Sequence, residues 1–235
     1  MIPKKLYGGG HVRIIAPANS VLPKLTSDII ERGITRLNSL GLEVSFGKHI
    51  REVNDFKTAS VRSRLTDLHE AFLDSSVDAV LALSGGTTSN LLLSHIDYRI
   101  IKENPKFICG LSDVTALLNA IYVKTGVVTY YGPHFTAIVA STDATYTLTY
   151  FRKCLMEDHS ITLTPSDIFY NTPWTDTENI NSGYWIINEG EAEGTVVGGN
   201  LLTFNFLQDT DYILNADDPH PADLHSGGQC CRGRQ

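Results

Sequence analysis

Long apolar runs are missing from this 235-residue sequence. The longest, such as Ala79–Leu83 and Thr115–Val123, fall far short of the ~20 residues a helix needs to cross a bilayer, so no membrane association is expected. An excess of basic residues is missing too. Lys and Arg number 19 against 26 Asp and Glu, a net charge of −7, and the pI is near 5.6. Nucleic acid is therefore not an expected partner, because duplex binding draws its affinity from phosphate neutralisation. Cysteine is scarce: Cys109, Cys154, Cys230 and Cys231 form neither a disulfide framework nor zinc-ribbon spacing. The opening MIPKKLYGGGHVRII has basic residues but no apolar signal core, so a reducing, cytoplasmic location is expected. No G-x-G-x-x-G, Walker or H-E-x-x-H pattern occurs, and the histidines lack metal spacing. Neither a cofactor nor a metal is expected.

What is present is an ordinary core-forming chain, 42% hydrophobic with a mean hydropathy of −0.06. Its first half alternates strand and helix signals. His11–Pro17 is β-rich and stopped by Pro17. Thr26–Leu40 places Ile29, Ile30, Ile34, Leu37 and Leu40 at helical spacing, with Gly41 as a stop. Leu42–Phe46 reads as a strand. Ser60–Leu73 reads as a helix with Val61, Leu65, Leu68 and Phe72 on one face. Ala79–Leu83 and Lys106–Cys109 are buried strands, Ser89–His95 and Val114–Lys124 are helical, and Val127–Tyr131 is a strand. Continuous apolar strands alternating with amphipathic helices predict an α/β fold with a mostly parallel sheet covered on both faces. Ligands gather at the carboxyl ends of such strands. Ser84–Thr88 and Gly110–Asp113 stand at two of those ends.

The composition changes near residue 140. The expected organisation is an N-terminal α/β domain over 1–140, a connection and substrate loop over 141–185, and the start of a smaller, β-rich C-terminal domain over 186–218. Trp185–Ile187 and Gly194–Val197 read as short strands, and Leu201–Leu207 as a strand or helix. The tail, 219–235, has two prolines, three glycines and paired cysteines without apolar periodicity. It reads as unfolded, and the C-terminal domain as truncated.

Several residues could carry chemistry. Ser112, in Gly110-Leu111-Ser112-Asp113, stands between a strand and a helix, where free N–H groups and the helix dipole can stabilise an oxyanion. The corner follows nucleophile-elbow logic without its second glycine, since position 114 is Val. Ser and Asp are equally the ordinary residues of a helix N-cap. The turn Ser84-Gly85-Gly86 offers backbone donors to an anion, or is a plain turn. His134 follows Gly132-Pro133 at a strand end, as a base near Ser112 or as a satisfied loop histidine. Trp174 and Trp185 lie in or beside the loop-rich segment, where a ring can stack on a planar ligand. Trp185, in an apolar run, reads equally well as a core anchor.

These motifs, in this order, resemble the LD-carboxypeptidase and microcin-immunity peptidase family. The resemblance is carried by Val12–Ser20 (VRIIAPANS), the Ser84-Gly85-Gly86 turn, Asn90–Phe135 and Glu193–Leu202 (EGTVVGGNLL), and spans roughly residues 5 to 218. The wording Ser89-Asn90-Leu91-Leu92 and Ile96-Asp97-Tyr98 looks like the microcin-immunity branch. The muropeptide-cleaving branch typically has an arginine-bearing turn after the double glycine. The resemblance implies a metal-free serine hydrolase with Ser112 as nucleophile, and the N–H groups of Asp113, Gly85 and Gly86 as oxyanion hole. It places Trp174 and Trp185 in the region that holds the substrate's nucleotide-like end. It also implies a homodimer, and a small peptide or aminoacyl-nucleotide substrate whose amide is cleaved in detoxification. Muropeptide carboxypeptidase activity and a catalytically dead, ligand-binding remnant are the alternatives. In the family a triad glutamate follows a strand of the form Ile-Leu-Phe-Ile/Leu-Glu-Asp, and the triad histidine lies further on. Neither has a matching position here, and His220 and His225 stand in surroundings unlike the family's. The chain as written is therefore expected to be inactive.

Overall fold

The computed structural model describes residues 1–140, 142–170, 178–191 and 193–214. Five strands, β1 (His11–Ile15), β2 (Glu43–Phe46), β3 (Ala79–Ala82), β4 (Phe107–Gly110) and β5 (Tyr130–Tyr131), form one sheet in the order β2-β1-β3-β4-β5. Every pairing is parallel. Helices α1 (Ser27–Asn38), α2 (Val61–Leu73), α3 (Tyr98–Glu103), α4 (Thr115–Thr125), α5 (Phe135–Ala140) and α6 (Thr145–Met156) cover it. A separate hairpin pairs β6 (Ile168–Phe169) with β7 (Asn179–Ile180), and α7 spans Leu201–Asn205.

Strand alternation divides the core in two. Val80, Ala82 and Ile108 point into a layer formed with Leu68 and Phe72 of α2, Ile101 of α3 and Leu117 and Ile121 of α4. Ala79, Leu81, Phe107 and Cys109 point to the opposite layer, with Leu37 of α1, Phe135 and Ile138 of α5, and Phe151 and Leu155 of α6. A strand buried on both faces must be apolar at every position, and β3 and β4 are read correctly as continuous runs for that reason. Each fully buried Leu or Phe here contributes about 1.5–3 kcal/mol relative to exposure.

Several boundaries differ from the sequence reading. Ser89–His95 is a 3-10 helix, and a 3-10 turn, Ser112–Val114, precedes α4. The last strand is only Tyr130–Tyr131, because the Val128 N–H bonds instead to the Met1 carbonyl. Helix α6 lies within the span expected to be a connection, yet it buries Phe151 and Leu155 in the α/β core. Its Thr-rich sequence hides this, since threonine is a weak helix former and tertiary packing overrides propensity. Trp185–Ile187 and Gly194–Val197 are not strands. Beyond residue 186 the described residues contain one regular element, α7, whose N-terminus is capped by Asn200 Oδ1 accepting from the Thr203 N–H at 3.1 Å.

Candidate active site

The order β2-β1-β3-β4-β5 reverses direction between β1 and β3. Loops leaving those strands diverge there and open a crevice, the general ligand position of open α/β sheets. Three loops meet at this crevice: Pro17–Ser20 after β1, Ser84–Thr88 after β3 and Leu111–Ser112 after β4. The Asn19 N–H donates to the Gly85 carbonyl at 3.1 Å.

Ser112 is half-buried and holds a left-handed backbone, φ +63°. That conformation costs a non-glycine residue about 1–2 kcal/mol, and such strain gathers at functional positions. Both of its backbone polar groups are bonded, and its carbonyl also accepts the Thr115 backbone N–H. Its N–H donates to the Tyr131 hydroxyl at 3.2 Å, and its carbonyl accepts from Thr115 Oγ1 at 2.6 Å. Gly85 lies directly against it. A Cβ at position 85 would stand 2.9 Å from Ser112 Cβ and 3.2 Å from its Oγ, and one at Gly86 would meet Asn19 Oδ1 at 2.7 Å. Only a backbone without side chains fits between these loops, which the plain-turn reading does not require. Among the described residues, the N–H groups of Gly85, Gly86 and Asp113 meet no acceptor.

Asp113 has a second job that sequence reasoning missed. Its buried carboxylate accepts the N–H groups of Thr88 and Ser89, both at 2.9 Å, and its carbonyl accepts the Ser89 hydroxyl at 2.6 Å. The side chain thus caps the neighbouring 3-10 helix instead of its own. Arg64 braces the same loop from below, 3% exposed, with one guanidinium nitrogen donating to the Pro17 carbonyl, the Thr88 carbonyl and the Thr88 hydroxyl. Burial holds its pKa below the ordinary value, opposed by the charge of Asp113. A signal for Arg64 was available. In α2 it stands three residues after Val61 and four before Leu68, a cation on the apolar face.

His134 does not supply a base. Its Nδ1 accepts the Ala137 N–H at 3.0 Å and lies 3.0 Å from the Thr136 hydroxyl, at the start of α5. Burial pushes its pKa down to about 4. A neutral ring with Nδ1 occupied carries its proton on Nε2 and has no free lone pair for a serine proton. The satisfied-histidine reading holds. Among the described residues, no side chain hydrogen-bonds to the Ser112 hydroxyl, and no group of three His, Cys, Asp or Glu is placed to hold a metal. Among the described residues, no helix is long and apolar enough to cross a membrane.

Trp185 is 86% exposed, its indole N–H 3.4 Å from the Ser182 hydroxyl. The core-anchor reading fails for it. Trp174 lies outside the described residues, as do His220 and His225 and the whole of 219–235.

The fold and site define a parallel α/β protein with a left-handed serine between strand and helix, packed against a glycine turn. A profile of the LD-carboxypeptidase N-terminal domain, peptidase family S66, matches residues 12–132. YocD of Bacillus subtilis (strain 168), provisionally designated a carboxypeptidase, is 42% identical over 96% of this chain and 73% of its own length. The crystal structure of an MccF-like protein from Bacillus anthracis str. Ames is 42% identical. It superposes with a TM-score of 0.87 over 92% of this chain and 67% of that one. A structure of MccF, the microcin C7 self-immunity protein of Escherichia coli, in complex with glutamyl sulfamoyl guanosine is 26% identical. Its TM-score is 0.78 over 91% of this chain and 67% of that one. The chain therefore belongs to the LD-carboxypeptidase family, which includes the MccF-type microcin-immunity proteins. It spans 57–73% of the length of three curated relatives that are 34–42% identical to it.

Proposed function

We propose that this chain carries the nucleophile half of a serine-type carboxypeptidase or amidase site that acts on an aminoacyl- or peptidyl-nucleotide. The observation that carries the reading is the left-handed Ser112 packed against Gly85. Ser112 Oγ attacks the scissile carbonyl. The tetrahedral oxyanion is held by the N–H groups of Asp113 and of the Gly85-Gly86 turn, whose donors need no reorganisation as charge develops. Removing one such donor in other hydrolases costs about 10²–10³ in kcat. The proton from Ser112 needs a base oriented by a third group. No described residue fills that role, so turnover by the 235-residue chain is expected at the residual level that an oxyanion hole and binding sustain.

The substrate class rests on the MccF relationship and on the glutamyl sulfamoyl guanosine held in that protein. Trp174 and Trp185 are assigned to the nucleotide-like end, and the exposed ring of Trp185 offers a stacking face. Cleavage of muropeptides is the second reading, favoured by the match to the LD-carboxypeptidase domain profile. A homodimer in the cytoplasm is part of the proposal.

The test is labelling of the protein extended to the length of its relatives, so that a base is supplied, with a fluorophosphonate probe, followed by hydrolysis assays on an aminoacyl sulfamoyl nucleotide and on a murein tetrapeptide. Labelling at Ser112 that Ser112→Ala abolishes supports the nucleophile assignment. Labelling elsewhere, or undiminished in the variant, overturns it. Cleavage of the tetrapeptide alone selects the muropeptide reading.

A further inference from the structure

Helix α4 buries three polar residues, Thr115, Asn119 and Thr125, and the first two are spaced i and i+4 and therefore on one face. That polar pair meets a single partner far along the chain. The Asn119 side-chain amide donates to the Gly198 carbonyl at 3.0 Å, and the Asn200 N–H donates to Thr115 Oγ1 at 2.9 Å. Gly199 lies between them. A Cβ there would stand 2.6 Å from both Oγ1 and Cγ2 of Thr115, and its φ of +142° already disfavours a side chain. The Gly198-Gly199-Asn200 turn is thus seated on Thr115 with no room to spare.

The Thr115 hydroxyl has one proton, and that proton goes to the Ser112 carbonyl at 2.6 Å. Its lone pair takes the Asn200 N–H. One fully buried hydroxyl therefore joins the seat of the turn to the backbone of the strained serine, whose other polar group is held only by Tyr131. A hydroxyl that accepts one hydrogen bond becomes a stronger donor, so the two bonds reinforce each other. Both are lost together if the hydroxyl is lost, and the Ser112 carbonyl then keeps the Thr115 backbone N–H.

We infer that Thr115 is a positioning residue that couples the seating of the Gly198-Gly199-Asn200 turn to the left-handed conformation of Ser112. The serine then holds its reactive geometry only while the segment after residue 193 is docked. This deepens the proposed function and rests on Ser112 being the nucleophile, although the coupling itself is a property of the fold.

Amide hydrogen exchange on the full chain tests it. Thr115→Val keeps the shape and removes the hydroxyl. Thr115→Ser keeps the hydroxyl, and Gly199→Ala drives a methyl into Thr115 without touching residue 112. Thr115→Val is expected to speed exchange of both the Asn200 and the Ser112 amides by about tenfold, the scale of one hydrogen bond, while Thr115→Ser restores both. Gly199→Ala is expected to speed exchange at Ser112, with the amides of β1 and β3 unchanged. If Thr115→Val releases Asn200 and leaves Ser112 as in the parent, or if Gly199→Ala leaves Ser112 untouched, the coupling is overturned. Should Thr115→Val fail to fold, Thr115→Ser and Gly199→Ala decide alone. In the chain extended to the length of its relatives, where a base is supplied, fluorophosphonate labelling of Ser112 should slow in step with the exchange change. An extended chain that is never labelled removes the nucleophile reading, while the exchange arm still decides the coupling.

Discussion

Gly85 and Ser112 touch across the carboxyl ends of β3 and β4, so closely that a methyl group at 85 would stand 2.9 Å from Ser112 Cβ. The contact sets the serine hydroxyl beside the backbone donors of the glycine turn. It also turns a residue without a side chain into a determinant of the site.

Gly85→Ala is therefore expected to displace Ser112 or the turn. In the chain extended to supply a base, labelling of Ser112 by a fluorophosphonate should fall by at least tenfold. Stability should fall by about 1–3 kcal/mol, the usual cost of overpacking a tight site. An alanine variant labelled at the parental rate would show that the two loops separate freely.

The strain at Ser112 makes a prediction of opposite sign for stability. Ser112→Gly removes the left-handed penalty while keeping both backbone hydrogen bonds. It should raise unfolding free energy by up to about 1 kcal/mol, part of the gain being offset by the freer unfolded glycine, and it should abolish labelling. Urea denaturation of parent and variant measures this, and a glycine variant clearly less stable than Ser112→Ala would argue against stored strain.

Burial gives His134 a folded pKa of about 4 against an ordinary 6.5. Between those values the unfolded chain binds the extra proton and the folded chain does not. Its contribution is thus complete above pH 6.5 and disappears as pH falls toward 4, amounting to about 3 kcal/mol at most. His69, lowered by burial against the pull of Asp97, acts in the same direction. Comparing melts of the parent and of His134→Asn from pH 7.5 to 4 isolates the first contribution. The variant should lose less stability on acidification, and parallel curves would show that His134 titrates normally in the fold.

Trp185 is exposed, and the proposed function places it and Trp174 at the substrate's nucleotide-like end. Trp185→Ala should leave stability within about 0.5 kcal/mol. Each alanine variant should weaken binding of a non-hydrolysable aminoacyl sulfamoyl nucleotide by roughly 1–3 kcal/mol, the range of base–aromatic stacking. Calorimetric titration reads this directly, and unchanged affinity in both variants would remove the nucleotide from the substrate class.

Much of this molecule was determined by the sequence alone. Strands β3 and β4 could be read because burial on both faces demands uninterrupted apolar residues, and α1 and α2 because a one-sided helix must repeat near 3.6 residues. The Ser112 corner and the Gly85-Gly86 turn stood out for the same reason: each interrupts such a pattern at a strand's carboxyl end. Only the tertiary structure decided which reading of each holds. A serine before a helix holds an N-cap or an elbow backbone according to its φ, and at φ +63° Ser112 is packed against Gly85 and bonded to Tyr131, two residues far from it in sequence. His134 looked available until the Ala137 N–H took its Nδ1. Asp113 looked like a cap for its own helix, and it caps the helix beginning at Ser89. Helix α6 was hidden by its threonines, because the energy that forms it lies in Phe151 and Leu155 meeting side chains of β1, β3 and β4, which lie far earlier in the chain. Local pattern reports which face of an element will be buried. What meets that face, and which lone pair or proton is left over, is settled only when distant segments pack.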